Sequence, residues 1–251
     1  MTENKRLLIL GGIGEAAALA DQAVSQFSGR LDVIYSLAGR VKPVREHTAH
    51  VRVGGFGGGP GLANFIKDEG IDLVIDATHP FAATISAHAF DACQATETPR
   101  LMFARPPWAL PPSVKFLEAE DMADALGQLS NFAKRVLVTT GQSDLDALDD
   151  FPEIHFVIRV IEEPGEPLAG ENHTLITGRP PYNLDDELAL MQEHAIDTLL
   201  AKQSGGEGTV AKITAAIRNR IPIVLLRRPP REPGEAVQSA AAALLWLESR
   251  V

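Results

Sequence analysis

The feature that most restricts the fold of this chain is the alternation of short runs of Val, Ile and Leu with longer segments of helical spacing. The apolar runs are Leu7–Leu10, Val33–Leu37, Leu73–Ile75, Leu101–Phe103, Val136–Val138, His155–Ile158, Thr198–Ala201 and Ile223–Leu226. Between most of them lie amphipathic stretches such as Ala16–Phe27, Leu62–Glu69, Met122–Leu129, Leu184–Glu193 and Val210–Arg220. A continuous apolar run has to be covered on both faces, and strands separated by helices run parallel. The pattern therefore predicts an α/β fold with mainly parallel sheets.

A chain of 251 residues can fill one large core or two smaller ones. The stretch RPPWALPPS, Arg105 to Ser113, carries four of the 17 prolines and can continue neither a helix nor a central strand. It predicts a connection between two α/β domains, 1–112 and 113–251. Two later bends, GRPPYN at Gly178–Asn183 and RRPPREPG at Arg227–Gly234, read as loops.

Charge and termini narrow the functional classes. A formal net charge of −10 excludes a general nucleic-acid or anionic-membrane surface, which needs a positive field. The first apolar run stops at Leu10 against glycines, too short for a signal-peptide core, and no other run reaches a membrane span. The expectation is a cytoplasmic protein. Its single cysteine, Cys93, falls on the apolar side of a helix over Ala83–Ala95 and reads as a packed thiol. The histidines are scattered without ligand spacing, so no metal is expected.

Two glycine-rich turns carry the chemistry. In RLLILGGIGEAAALA, Gly12, Gly14 and Ala17 form a G-x-G-x-x-A spacing that directly follows a strand and opens a helix. There, backbone N–H groups can approach a pyrophosphate whose charge also suits the helix N-terminus. The second strand ends at Ser36 without a carboxylate, and Arg40, Lys42 and Arg45 follow. A hydroxyl and cations at that place suit a 2′-phosphate, which favours NADPH over NADH. The loop VGGFGGGPGLANF, including Gly55, is either a ligand-facing segment or an ordinary surface loop. In LLAKQSGGEGTVAKI a second strand–turn–helix places Lys202, Ser204, Gly205 and Gly206 where they can meet an anion. Arg105, Arg159 and Arg227 stand at other strand exits, and Arg179 lies in the GRPPYN bend. An acidic protein with cations at strand ends is built for a polyanion. His79, between a strand end and Pro80, could act as a general acid, bond a substrate or brace its loop.

Taken together, "LILGGIGEA" at Leu8–Ala16, "GGFGG" at Gly54–Gly58, "DATHPFA" at Asp76–Ala82, "RPPW" at Arg105–Trp108, "AKQSGG" at Ala201–Gly206 and "RRP" at Arg227–Pro229 resemble the precorrin-6A reductase family of cobalamin biosynthesis. The resemblance implies two Rossmann-like domains with an active-site cleft between them. It also implies hydride transfer from a reduced nicotinamide to a ring double bond of precorrin-6A, giving precorrin-6B, with neither metal nor flavin. The family motif maps onto Gly11, Gly12, Gly14 and Glu15 for the cofactor, and onto Asp76, Ala77, Thr78 and His79 beside it. Arg105, Arg179 and Arg227 are then the expected contacts for a carboxylate-rich tetrapyrrole, and His79 the first candidate proton donor. Contacts with other corrin-pathway enzymes are compatible with this role. The family commonly reads GGTGEA, and Ile13 here replaces the Thr, removing a hydroxyl that could bond a phosphate. Two other classes also fit the glycine turns: an NADP-dependent reductase of a small keto or imine substrate, and a non-catalytic NADPH-binding sensor.

Overall fold

The computed structural model describes residues 4–38, 48–165, 168 and 170–251. Contacts divide the chain into two compact units, Met1–Pro106 with Pro229–Val251, and Pro107–Arg228.

The first unit begins β1 (Lys5–Leu10), α1 (Gly14–Gln26), β2 (Leu31–Leu37), β3 (His50–Val53), α2 (Gly58–Asp68), β4 (Leu73–Asp76), α3 (Ala83–Thr96) and β5 (Arg100–Phe103). Successive strand side chains point to opposite faces, so β1 feeds two cores. Leu7 and Ile9 pack with Leu19, Ala20 and Ala23 of α1 and with Phe27 just past its end. Leu8 and Leu10 pack with Leu62 and Ile66 of α2 and with Ala89, Ala92 and Cys93 of α3. Each fully buried Leu or Ile contributes about 1.5–3 kcal/mol relative to exposure. This two-sided burial is why the apolar run is continuous.

The second unit runs β6 (Phe116–Ala119), α4 (Met122–Leu129), β7 (Arg135–Val138), β8 (His155–Val160), β9 (His173–Thr177), α5 (Leu184–Glu193), β10 (Thr198–Lys202), α6 (Ala211–Arg218) and β11 (Ile223–Leu226). Side-chain caps fix two of its helix starts: Asp121 accepts from Asp124 N–H, and Asn183 accepts from Asp186 N–H. Its sheet order is β6-β11-β10-β7-β8-β9, every neighbour parallel.

The chain then returns to the first unit with β12 (Glu235–Val237) and α7 (Ala240–Glu248). β12 pairs with β5, completing the parallel order β12-β5-β4-β1-β2-β3. Ala243, Trp246 and Leu247 of α7 join the core that contains α1. Residues 229–251, expected in the second domain, therefore group with the first. The strand order β5 → β12 is unreadable from local spacing, because the partner lies more than a hundred residues away in the chain. Among the described residues no helix is long and apolar enough to cross a membrane.

Candidate functional site

In the first sheet the strand order reverses between β4 and β1, and open parallel sheets leave a crevice at such a point, beyond the carboxyl ends of the strands. The turn after β1 and the segment after β4 meet there. Ala77 N–H donates to Leu10 O at 2.9 Å. A Cβ on Gly12 would lie 3.1 Å from His79 N and 3.4 Å from Thr78 Cα, so any larger residue would push the two backbones apart by a few tenths of an ångström. A Cβ on Gly11 would lie 2.4 Å from the Tyr35 ring. Gly14 is different, because a Cβ there would meet no atom within 4 Å. Neither packing nor a left-handed backbone asks for glycine at that position. The open space lies over the first turn of α1, whose N-terminus at Ile13 has no side-chain cap. N–H groups without a side-chain cap suit the diphosphate of a nicotinamide coenzyme.

The strand end opposite is held from within. Asp76, which is buried, accepts at Oδ1 from Thr78 N–H (3.2 Å) and Thr78 Oγ1 (2.7 Å), while its Oδ2 lies 3.6 Å from Arg100 Nη1. Thr78 Oγ1 is also 3.1 Å from Ser86 Oγ. Arg100 donates further to Pro233 O at 2.7 Å and lies over the Phe90 ring. The side chains of Asp76 and Thr78 thus fix the shape of the strand end, and Ala77 is buried beside them. Half-buried His79 reaches the surface. Its Nδ1 accepts from Phe81 N–H at 3.2 Å and its carbonyl accepts from Ala82 N–H at 2.7 Å. An Nδ1 that accepts carries no hydrogen, so the neutral ring holds its proton on Nε2.

At the end of β2, Ser36 is buried and stands in register with Arg52 of β3. Arg52 donates from Nη1 to Ser36 Oγ (3.3 Å) and Gly54 O (2.6 Å), and from Nη2 to Gly55 O (2.7 Å). Its guanidinium lies 3.8 Å above the Phe56 ring centroid. Burial lowers its pKa, yet an arginine stays cationic at any physiological pH. Spacing along the chain gave no sign of Arg52, which is brought in by strand pairing. Arg40 and Lys42 lie outside the described residues.

The arginines expected at substrate all pair with carboxylates. Arg105 Nη1 lies 3.1 and 3.3 Å from the two oxygens of Glu15 in the first turn of α1. Arg179 pairs with Glu162, and Arg227 with Glu118 and Glu120 at 3.2 and 3.1 Å. Arg159 belongs to the interior instead. It meets Glu187 at 2.7 Å, both side chains buried, and lies 3.9 Å from the Tyr182 ring centroid. Burial raises the Tyr182 phenol above its ordinary pKa, with Arg159 opposing.

The second sheet reverses between β7 and β10, and Lys202 to Gly206 leave at that point. Gly205 and Gly206 have φ of 66° and 82°, so the turn needs glycine at both. Ser204 and Gly205 are buried, Gly206 O accepts from Trp108 Nε1 at 2.9 Å, and a 3₁₀ turn over Glu207–Thr209 precedes α6. Just past β7, Thr140 Oγ1 is buried with no hydrogen-bond partner among the described residues.

Residues 6–248 match the model of the family described as precorrin-6x reductase CbiJ/CobK. The chain is 42% identical over 243 residues to a precorrin-6A reductase of Rhodococcus erythropolis, covering 96% of this chain and 97% of that one. It is 39% identical over 243 residues to a precorrin-6A reductase of Mycobacterium tuberculosis, with the same coverage. A solved structure described as CobK precorrin-6A reductase superposes with a TM-score of 0.91 at 32% identity, covering 98% of this chain and 96% of that chain. The match runs through both glycine turns and both sheets, and on that ground the chain belongs to the precorrin-6x reductase family.

Proposed function

We propose that the chain reduces a ring double bond of precorrin-6A, giving precorrin-6B in cobalamin biosynthesis, with NADPH as the coenzyme. Membership of a reductase family named for a tetrapyrrole implies a nicotinamide coenzyme and a polycarboxylate ring substrate. The coenzyme supplies the hydride when bound. The observation that carries the reading is the close approach of the Gly12 turn to Thr78–His79 where the first sheet reverses, with open space over Gly14 beside it.

In this reading the backbone at Gly11, Gly12, Gly14 and Glu15 holds the diphosphate at the start of α1. Ser36 and Gly55 border the adenosine end, where the lack of a carboxylate at the end of β2 suits a 2′-phosphate, and Arg40 and Lys42 follow that strand. Asp76, Ala77 and Thr78 form the floor that fixes where the ring to be reduced can sit. Addition across the double bond consumes one π bond and forms two C–H bonds, one from the hydride and one from a proton. In this reading His79 Nε2–H donates that proton or orients the water that does. Lys202, Ser204, Gly205 and Gly206 act as a second anion-holding turn for the coenzyme.

Arg105, Arg179 and Arg227 bind the carboxylate rim by exchanging a glutamate of the protein for a carboxylate of the ligand. An exchange of like partners keeps each guanidinium paired throughout and gains by positioning the ring. Residence in the cytoplasm, where NADPH and other corrin-pathway enzymes are at hand, is part of the same proposal.

The test is anaerobic incubation of the protein with NADPH and precorrin-6A while following the absorbance of both. Loss of the NADPH band together with a change in the tetrapyrrole spectrum supports the reading. No change in either sinks it.

A further inference from the structure

The structure assigns to Arg52 the reading of the coenzyme's 2′-phosphate, an inference that rests on the coenzyme site proposed above. Three observations bear on it. Arg52 sits in register with Ser36 at the end of β2, the place where a dinucleotide-binding sheet meets the adenosine ribose. Its three hydrogen bonds use three of the five guanidinium N–H donors, leaving two with no acceptor among the described residues. The Phe56 ring lies 3.8 Å and the Phe65 ring 5.1 Å from the guanidinium carbon, and together with Gly54 O and Gly55 O they hold the planar group in one orientation.

Orientation is what turns a nearby cation into a selective one. A guanidinium held in place presents paired donors to a phosphate without losing rotamer freedom on binding, and a ribose hydroxyl offers far less to it. No described carboxylate pairs with Arg52, whereas Arg105, Arg179 and Arg227 each have one. Among the described residues its charge is therefore met by neutral acceptors only, and a dianion is the ligand that best completes it. The side chain sits on the same face of the sheet as Ser36, so both can meet one ligand group.

The experiment compares dissociation constants for NADPH and NADH, and for 2′,5′-ADP and ADP, in the wild-type protein, R52Q and R52K. A charge-assisted hydrogen bond is worth roughly 1.5–3 kcal/mol, which corresponds to about a 10- to 100-fold change. In R52Q the ligands with a 2′-phosphate should weaken by about that factor, and those without it by less than about threefold. R52K, which keeps the charge and loses the fork, should fall between the two. Equal weakening of all four ligands in R52Q would show that Arg52 only braces the Gly54–Gly55 backbone, and it overturns the assignment. So does a preference unchanged from wild type. A wild-type protein that binds NADPH no more tightly than NADH overturns the NADPH reading itself, a result distinguishable from the other two because no variant is needed to see it. Melting temperatures of both variants check that they are folded, and R52K carries the test alone if R52Q is not.

Discussion

Arg105, just past the end of β5, places Nη1 3.1 Å from a carboxylate oxygen of Glu15 in the first turn of α1. In the proposed site that carboxylate lies beside the N–H groups that hold the diphosphate, so its pairing with Arg105 would screen the coenzyme from a negative charge. R105A should therefore weaken NADPH binding by about three- to tenfold, the size of effect a partly exposed ion pair supports. Removing the unscreened charge in R105A/E15Q should restore most of the loss. Calorimetric titration of the single and double variants measures both, and no recovery in the double variant would show that Glu15 is not the cause.

Gly14 separates folding from binding. Alanine there meets no atom within 4 Å and improves helix propensity, so G14A should unfold at the same or higher denaturant concentration. It should nevertheless bind NADPH at least about tenfold more weakly, since the methyl group occupies the space a diphosphate needs. Undiminished affinity in a stable G14A would move the diphosphate elsewhere.

Bracing and proton donation by His79 can be told apart. Its Nδ1 braces the turn by accepting from Phe81 N–H, and Nε2 is left as the protonated nitrogen. If Nε2 donates the proton, H79A should slow a single turnover by about 100-fold or more while the NADPH dissociation constant stays within a few-fold. Rapid-mixing absorbance measures the first and fluorescence titration the second. A rate within a few-fold of wild type confines His79 to bracing.

The last helix should behave as part of the first core. Leu247 is fully buried, and L247A is expected to cost about 2–5 kcal/mol in urea unfolding followed by near-ultraviolet circular dichroism. L245A, two residues away at 72% exposure, should be close to neutral.

Cys93 gives a pH signature. Burial pushes its thiol from 9.0 up to about 12, with Arg100 opposing and Asp76 adding to the rise. A folded-state pKa above the unfolded value means that the folded protein holds the proton longer. The stabilisation is complete below pH 9 and is lost as pH climbs towards 12. Ellman's reagent at pH 8 should leave the native thiol unreacted and titrate one thiol after unfolding. Rapid labelling of the native protein would contradict the packing.

Strands and site residues differed in how readable they were. Every strand whose apolar run announced it is interior to a sheet. The four that went unrecognised, β3, β6, β9 and β12, are the four sheet edges. Edge strands are wet on one side, and here they carry half-exposed sequences such as HVRV and FLEA, so burial leaves no periodic mark on them. The same holds at the site. The glycine turns and the Asp76–His79 segment are contiguous in the chain and carry their own chemistry. The Ser36–Arg52 contact and the glutamate partners of Arg105, Arg179 and Arg227 arise only from pairing and packing across intervening residues.

The position of β12 bears on how the molecule is made. A ribosome releases β1 to β5 first, yet the sheet they begin lacks its outer strand and the α7 side of its core until the last residues are synthesised. The second unit, whose strands β6 to β11 are contiguous, has every one of its strands in hand before β12 is made. The half made first is therefore finished last, and a chain that stalls near Arg228 leaves β5 exposed as an unpaired edge.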